Sequence, residues 1–544
     1  MLLTGVCLML LVGSGGILSL PPDEHEVLVL QTAQEMWARG DWITPYFNAE
    51  ARLNKPPLNY WASAAVAGLT GSAGVVLPWH GRLVSLLGGL VLAGVALRLS
   101  RAQANDRSWW IAAALLVTSA GWFSFVHDAR PDALYAACCA LGSLCFWLSL
   151  ERWGQAGARR FLCGMWLCYA LGTLSKGPHV PAMLLAVNLA FELHSHRHAA
   201  RPERWMAWLS GLLLFLTVVL PWWWLLQERV STAALASSQL SGKLLQPDSS
   251  GSGAYYLYRP LQLLLPWILL APFTWPFAFT KSQKQRGQSI WMFASIATMA
   301  TALSFGPQQR YFYMLPALPF MIALTARGWI SLEQRAPRTA LFIALLQTLL
   351  VLALAIWSGL KISQPIITLA AVLLALCFSG VALWRGLALA RSVLLCGMLL
   401  AAGVFVLHAS GTLLWSEDRY NKAALAESAR QIIPMGALLV AYDLTPVVYV
   451  YLSQRPIERV RNPERLASLA RTREDQSLYI LCETRHRPVL ETLGSLVVLA
   501  EMPPGADDRA GLYRMRFSPQ TSSGKGDRER SFAPFRPSGM IRDD

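Results

Sequence analysis

The sequence predicts a polytopic α-helical membrane protein of about thirteen transmembrane helices with a small α/β domain at its C-terminal end. Three observations predict this class. Of 544 residues, 54% are apolar and 15% charged, with a mean hydropathy of +0.39; a soluble chain has about a quarter charged residues. Apolar runs of spanning length recur from residue 2 to residue 408. Beyond residue 409 the runs stop and charge density rises.

In chain order the runs are 2–20, 83–98, 109–126, 133–150, 161–175, 177–193, 207–226, 260–279, 289–305, 311–326, 339–358, 366–384 and 390–408. The first has no basic stretch before it and no A-x-A site after it, so it reads as a retained helix rather than a removed leader. Basic residues favour cytoplasmic connections. With the N-terminus inside, the inner connections hold Arg98, Arg101, Arg107, Arg152, Arg159, Arg160, Arg197, Arg201, Arg204, Lys281, Lys284, Arg286, Arg327, Arg335, Arg338, Arg385 and Arg391. The short outer ones hold Arg130, Lys176, Arg310 and Lys361. This sorting places residues 21–82, the 227–259 loop and the C-terminal region outside. The net charge of +15 is then mostly inner-loop arginine facing anionic headgroups, and calls for no nucleic acid. Of nine cysteines only Cys482 falls outside the helical segments, which gives neither a disulfide framework nor a metal-ligand spacing.

Residues 1–409 thus form the membrane domain, and 410–517 a soluble one. In the latter, 437–443, 447–453, 477–483 and 495–501 read as strands rich in β-branched and aromatic residues. Residues 422–433 and 462–471 read as helices. No glycine-rich phosphate loop is present, so no nucleotide is assigned. The polar stretch 518–544 reads as a disordered tail.

The outer face gathers polar residues. Asp23, Glu24 and Glu26 follow the first span and open an amphipathic stretch that ends at Gly40-Asp41-Trp42 and Pro45, suited to a helix along the membrane plane. Next comes LNKPPLNYW (53–61), where Lys55 precedes two prolines that can open a second short helix. By itself Lys55 also fits a snorkelling interfacial lysine. His127, Asp128, Arg130 and Asp132 cluster at another outer turn, Lys176 at a third, and Arg310, Tyr311 and Tyr313 at a fourth. Charges at membrane depth are costly and usually face a cavity or each other. Lysine and arginine neutralise phosphate oxygens and ease departure of a phosphate leaving group. A carboxylate can deprotonate an acceptor hydroxyl or amine. Together they suit glycosyl transfer from a lipid-linked phosphosugar whose tail lies between helices.

The motifs resemble those of the polytopic GT-C glycosyltransferases of the protein-mannosyltransferase/aminoarabinose-transferase superfamily, family 39. The resemblance is carried by Asp23–Glu24, by TAQEMWARGDWITPYFN followed by LNKPPLNYW, and by ARPDA (129–133), SKGP (175–178) and RYFYMLPALP (310–319), over residues 20–320. It implies a bacterial inner-membrane enzyme with a periplasmic active site, closest in layout to the aminoarabinose lipid A transferases. Such an enzyme is inverting, uses a polyprenyl-phosphate sugar as donor and needs no cofactor or metal. Lys55 and Lys176 match donor-phosphate ligands, with Arg130 and Arg310 beside them. Asp132 matches a second acidic position and Tyr313 an aromatic one at the cavity. Asp23, Glu24 and Glu26 compete for the general base, because the family's Asp-Glu pair stands two residues closer to the Glu-Met that follows. The aminoarabinose branch carries an acid before the lysine, where this chain has Asn54; the sugar and the acceptor, whether lipid A, protein, other lipid or polysaccharide, stay open. A transporter or lipid flippase is the rival reading, but the chain shows no repeat between its halves and its charged motifs gather on one face instead of the bilayer midplane.

Overall fold

The computed structural model describes residues 20–517, apart from 73, 102–107, 154, 156, 196–201, 238–254, 280–282, 307–308, 362–371, 374, 378–379, 382, 385–387, 410–413, 435, 472–476, 505 and 507–508. The expected span 2–20, most of 366–384 and the tail 518–544 therefore lie outside the described residues.

The chain enters through α1 (Glu24–Arg39). Asp23 caps it by accepting from the Glu26 amide (2.8 Å), while the Glu26 carboxylate accepts from the Asp23 amide (3.1 Å). This reciprocal cap satisfies two amides that the first turn cannot. The helix stops at Gly40, whose φ of +65° is left-handed and free of strain only for glycine. A hairpin of β1 (Tyr46–Phe47) and β2 (Glu50–Ala51) leads to α2 (Leu58–Leu69), which begins directly after Pro57, as proline in a first turn allows.

The bundle follows with α3 (Pro78–Ser100), α4 (Ser108–Val117), α5 (Ala120–Val126), α6 (Pro131–Glu151), α7 (Ala158–Lys176), α8 (His179–Ser195) and α9 (Pro202–Arg229). Then come α10 (Leu270–Ala278), α11 (Gln283–Ser304), α12 (Leu318–Arg335), α13 (Pro337–Lys361) and α14 (Leu389–Ala409). Among the described residues five helices are long and apolar enough to cross a membrane, or six if the pair α4–α5, bent by 58°, is one broken span. Within the segment Tyr311–Arg335, residues 314–333 are buried throughout by their neighbours. The segment is mostly apolar, as a central helix must be, and its buried Arg327 is held by Gln288 and Ser289 of α11. At its contact with α10, a Cβ on Gly328 would lie 1.9 Å from the Thr274 carbonyl oxygen, so only glycine lets the two backbones approach. The run 260–279, expected as one span, is instead two 3-10 turns, Arg259–Leu264 and Trp267–Leu269, followed by α10. Pro260, Pro266, Pro272 and Pro276 remove four amide donors from it, which breaks a continuous helix.

The C-terminal domain comprises α15 (Leu414–Ile432), β3 (Leu439–Tyr442), α16 (Val447–Ser453), β4 (Glu458–Val460), α17 (Pro463–Arg471), β5 (Ser477–Glu483), α18 (Arg487–Leu493), β6 (Gly494–Glu501) and β7 (Ala510–Phe517). Sheet order is β4-β3-β5-β7-β6, parallel through β4, β3 and β5 and antiparallel beyond. The stretch 447–453, expected as a strand, is helix α16. Its Tyr449 and Val450 pack into the domain's own core while Tyr451 packs against α1 and α2, and burial on two sides overrides β propensity.

That second face docks the domain. Tyr451 Oη donates to the Val76 carbonyl (2.8 Å), Gln34 donates to Gln454 (2.8 Å), and Asn48 exchanges two hydrogen bonds with the Ile457 backbone (2.8 and 3.0 Å). Residues 21–82 and the C-terminal domain therefore share one side of the bundle. The pair Arg98–Glu151 (2.8 Å) sits at the other ends of α3 and α6.

Candidate active site

Two charged clusters meet where α6 begins. The first is built on the opening turn of α1. Glu26 is fully buried and accepts from Nε and Nη2 of the buried Arg82 on α3, at 2.7 and 3.0 Å, together with the Ala129 amide at 2.9 Å. Asp23 accepts from Arg130 at 2.6 Å, and Arg130 also faces Asp128 at 3.4 Å. Arg419, from α15 of the C-terminal domain, reaches Glu26 (3.3 Å), Asp23 (3.4 Å) and Asp128 (3.6 Å). Glu24 points outward, 3.8 Å from Lys422 of the same helix.

The charges set the protonation states. Burial alone pushes the Asp23 carboxyl up, but the Arg130 and Arg419 guanidiniums outweigh it and bring the pKa down to about 2. Asp128 goes the other way. Burial and then the neighbouring Glu26 and Asp23 carboxylates raise it to about 7, against which Arg130 and Arg419 act only in part. Burial would lower Arg130, but Asp23 and Asp128 hold it more firmly charged than usual. Oxygens of Asp23, Glu26 and Asp128 lie within 4.8 Å of one another, close enough to share a cation. Three guanidiniums, those of Arg82, Arg130 and Arg419, supply that positive charge, and the group is an ion-pair network.

The second cluster starts two residues further on. Asp132 pairs with Lys176 at the end of α7, both nearly buried. The Lys176 ammonium also lies over the rings of Tyr313 (4.7 Å) and Phe312 (4.8 Å), a favourable cation–π setting. Asn59 on α2 donates to the Ser175 hydroxyl (2.8 Å) and carbonyl (3.1 Å). This ties the start of α2, and with it Lys55, to the end of α7. Lys55 and Lys176 consequently line one cavity of about 570 Å³, with Asn54, His179 and Tyr313 on its polar side. Its other walls are apolar, including Leu174, Phe215, Val219, Trp222 and Leu303. Arg310 precedes the 3-10 turn Tyr311–Ala317, and its backbone is held by the Tyr256 hydroxyl at 3.0 Å.

Of the residues singled out from sequence, Lys55, Lys176 and Tyr313 line the cavity, and Asp132 is paired to it through Lys176. Asp23, Glu26 and Arg130 form the neighbouring network, while Glu24 stands at its exposed edge. The sequence reading left out Arg82, Arg419, Asn59 and His179. Asp128 was visible in the His127–Asp132 cluster, and Asn59 in the quoted proline stretch. Arg419 carries no local signal, since its partners lie about 290 to 400 positions away.

Known proteins resemble this chain in sequence and fold. A family profile described as "Predicted membrane protein (DUF2142)" matches residues 40–279. An uncharacterized protein of Aquifex aeolicus is 24% identical over 357 residues, covering 64% of this chain and 68% of that protein. The undecaprenyl phosphate-alpha-4-amino-4-deoxy-L-arabinose arabinosyl transferase of Pseudomonas aeruginosa is 26% identical over 287 residues, 49% of each chain. The chain thus spans about half the length of that curated transferase. The crystal structure of ArnT from Cupriavidus metallidurans bound to undecaprenyl phosphate superposes with a TM-score of 0.76 at 18% identity, over 94% of this chain and 97% of that one. Over nearly its whole length the chain has the fold of that ArnT structure.

Proposed function

We propose that the protein moves a sugar from a polyprenyl-phosphate donor to an acceptor at the outer, periplasmic face of a bacterial inner membrane, with inversion at the anomeric carbon. The observation that carries this is the convergence of Lys55 and Lys176 on one cavity with apolar walls. A cavity of that make-up suits a ligand with an anionic head and a hydrocarbon tail. The two ammonium groups would neutralise the phosphate and stabilise the charge that grows on it as the glycosidic bond breaks. Tyr313 lines that cavity, Arg310 stands three residues before it, and Asp132 holds Lys176 in place before the donor arrives. A single displacement needs a base on the face opposite the phosphate, which the polar groups around the start of α1 and α6 would provide.

The test is to incubate purified protein with a panel of polyprenyl-phosphate sugars and candidate acceptors, and to measure release of polyprenyl phosphate. Release that depends on Lys55 supports the reading. Donor binding with no release, and lipid movement across vesicle bilayers instead, would replace it with a carrier.

A further inference from the structure

We infer that His179 is a third ligand of the donor phosphate, beside Lys55 and Lys176, and that its Nδ1–H orients that phosphate. This deepens the transferase reading and rests on it. His179 opens α8 and lines the same cavity as both lysines. Its ring has two aromatic neighbours, Tyr135 at 5.5 Å and Tyr313 at 6.2 Å between centroids. The Lys176 ammonium lies against the same two rings, at 5.9 and 4.7 Å. Imidazole and ammonium therefore share two neighbours as well as a cavity wall.

The two ring nitrogens have different surroundings. Nε2 meets the Tyr135 hydroxyl at 3.3 Å. Tyr135 is buried on α6 and is not among the described residues that line the cavity. Nδ1 lies on the side of Gly177, 3.5 Å from where a Cβ on that glycine would stand, and Gly177 is part of the wall. Nε2 is thus turned to the protein and Nδ1 to the cavity.

Tyr135 makes the ring a donor there. Its hydroxyl accepts from the Val180 amide at 3.2 Å. For its one proton it has two acceptors at nearly equal range, the Gly177 carbonyl at 3.2 Å and Nε2 at 3.3 Å. A neutral imidazole has one N–H and one lone pair, and the bond at one nitrogen sets the role of the other. With the hydroxyl turned to Nε2, the ring's proton sits on Nδ1, where it can be given to a phosphate oxygen. A lysine ammonium is a compact charge on a flexible stem; it attracts an anion without fixing its rotation. An N–H on a ring held by Tyr135 is directional. It orients the phosphate, and with it the sugar's anomeric carbon.

The experiment measures binding of undecaprenyl phosphate, donor KM and kcat for wild type, His179→Ala, His179→Asn and His179→Gln, with thermal stability in detergent as a folding control. The asparagine amide nitrogen takes the place of Nδ1, and the glutamine one that of Nε2. His179→Ala should weaken undecaprenyl phosphate binding and raise donor KM by about 10- to 100-fold, the range of a hydrogen bond to a charged group. His179→Asn should recover most of that loss, because it keeps the donor to phosphate and Tyr135 can turn its hydroxyl to the Gly177 carbonyl. His179→Gln keeps only the contact with Tyr135 and should recover little. Wild-type affinity in His179→Ala overturns the inference. So does recovery by His179→Gln in place of His179→Asn, which would make the ring a packing partner of Tyr135; this comparison decides the matter even if His179→Ala does not fold. A wild type that binds undecaprenyl phosphate through His179 yet releases none from any donor in the panel overturns the transferase reading and leaves the phosphate ligand standing.

Discussion

Glu26→Gln keeps the shape of a fully buried side chain and removes its charge. Arg82, whose side chain is 1% exposed, then has no counter-charge at 2.7 and 3.0 Å. The Ala129 amide can still reach the remaining carbonyl oxygen. The new NH₂, however, turns a donor toward Arg82, the Asp23 amide and Arg419, all of which are donors themselves. Removing one partner of a buried pair costs about 3–5 kcal/mol. Arg419 is 20% exposed, so its share is small, being screened by solvent. A loss of about 3 kcal/mol or more is therefore expected, read as inactivation at lower temperature in detergent and lower yield of monodisperse protein. Adding Arg82→Met should recover much of this, because a buried pair replaced as a whole is often near neutral. If Glu26→Gln keeps wild-type thermal stability but loses turnover, the framework role assigned here is wrong and Glu26 acts in the chemistry.

Further outcomes are open to measurement. Lys55→Ala should abolish transfer while insertion and thermal stability persist, and Lys55→Arg should restore only part of it, because the planar guanidinium differs in reach; wild-type transfer by Lys55→Ala would return the residue to an interfacial lysine. The depressed pKa of Asp23 contributes stability that is present above its ordinary 3.8 and lost as pH falls toward about 2. Asp23→Asn should flatten that acid limb and lower stability at neutral pH through the lost charge facing Arg130 and Arg419, while the helix cap itself survives because asparagine caps as well as aspartate, checked by thermal unfolding from pH 7 to 2. Asp128 has the opposite sign: its contribution is full below 3.8 and lost as pH rises through about 7, so Asp128→Asn should gain stability relative to wild type between pH 4 and 8. A topology reporter fused after residue 520 should be active only outside the cytoplasm; cytoplasmic activity would invert the orientation drawn from the arginine distribution.

Much of the bundle was legible because a bilayer leaves few options: an apolar run must close its own backbone hydrogen bonds, and helices do so. The run 260–279 escaped because hydropathy is blind to backbone donors; its prolines, not its side-chain polarity, decide the geometry. The segment 447–453 looked like a strand for the converse reason. Val447, Val448 and Tyr449 favour extended structure locally, but two facing cores bury the segment on opposite sides. Strand β7 was missed although Tyr513 to Phe517 alternates with Arg514 and Arg516, a half-buried pattern in plain view. At the site, the residues with local motifs around Lys55, Arg130 and Lys176 were legible. Their partners were not: nothing near Glu26 announces Arg82, and nothing near Asp23 announces Arg419.

The reach of Arg419 has a temporal side. Ribosomes make residues 20–130, with Asp23, Glu26, Arg82, Asp128 and Arg130, long before residue 419. A nascent chain that has threaded its membrane helices therefore holds these three acids against two guanidiniums. The third arrives only when the last domain folds and docks through Tyr451, Gln454 and Ile457. Charge balance in the network is thus a record of completed synthesis: a chain truncated before residue 414 would leave the three acids one guanidinium short.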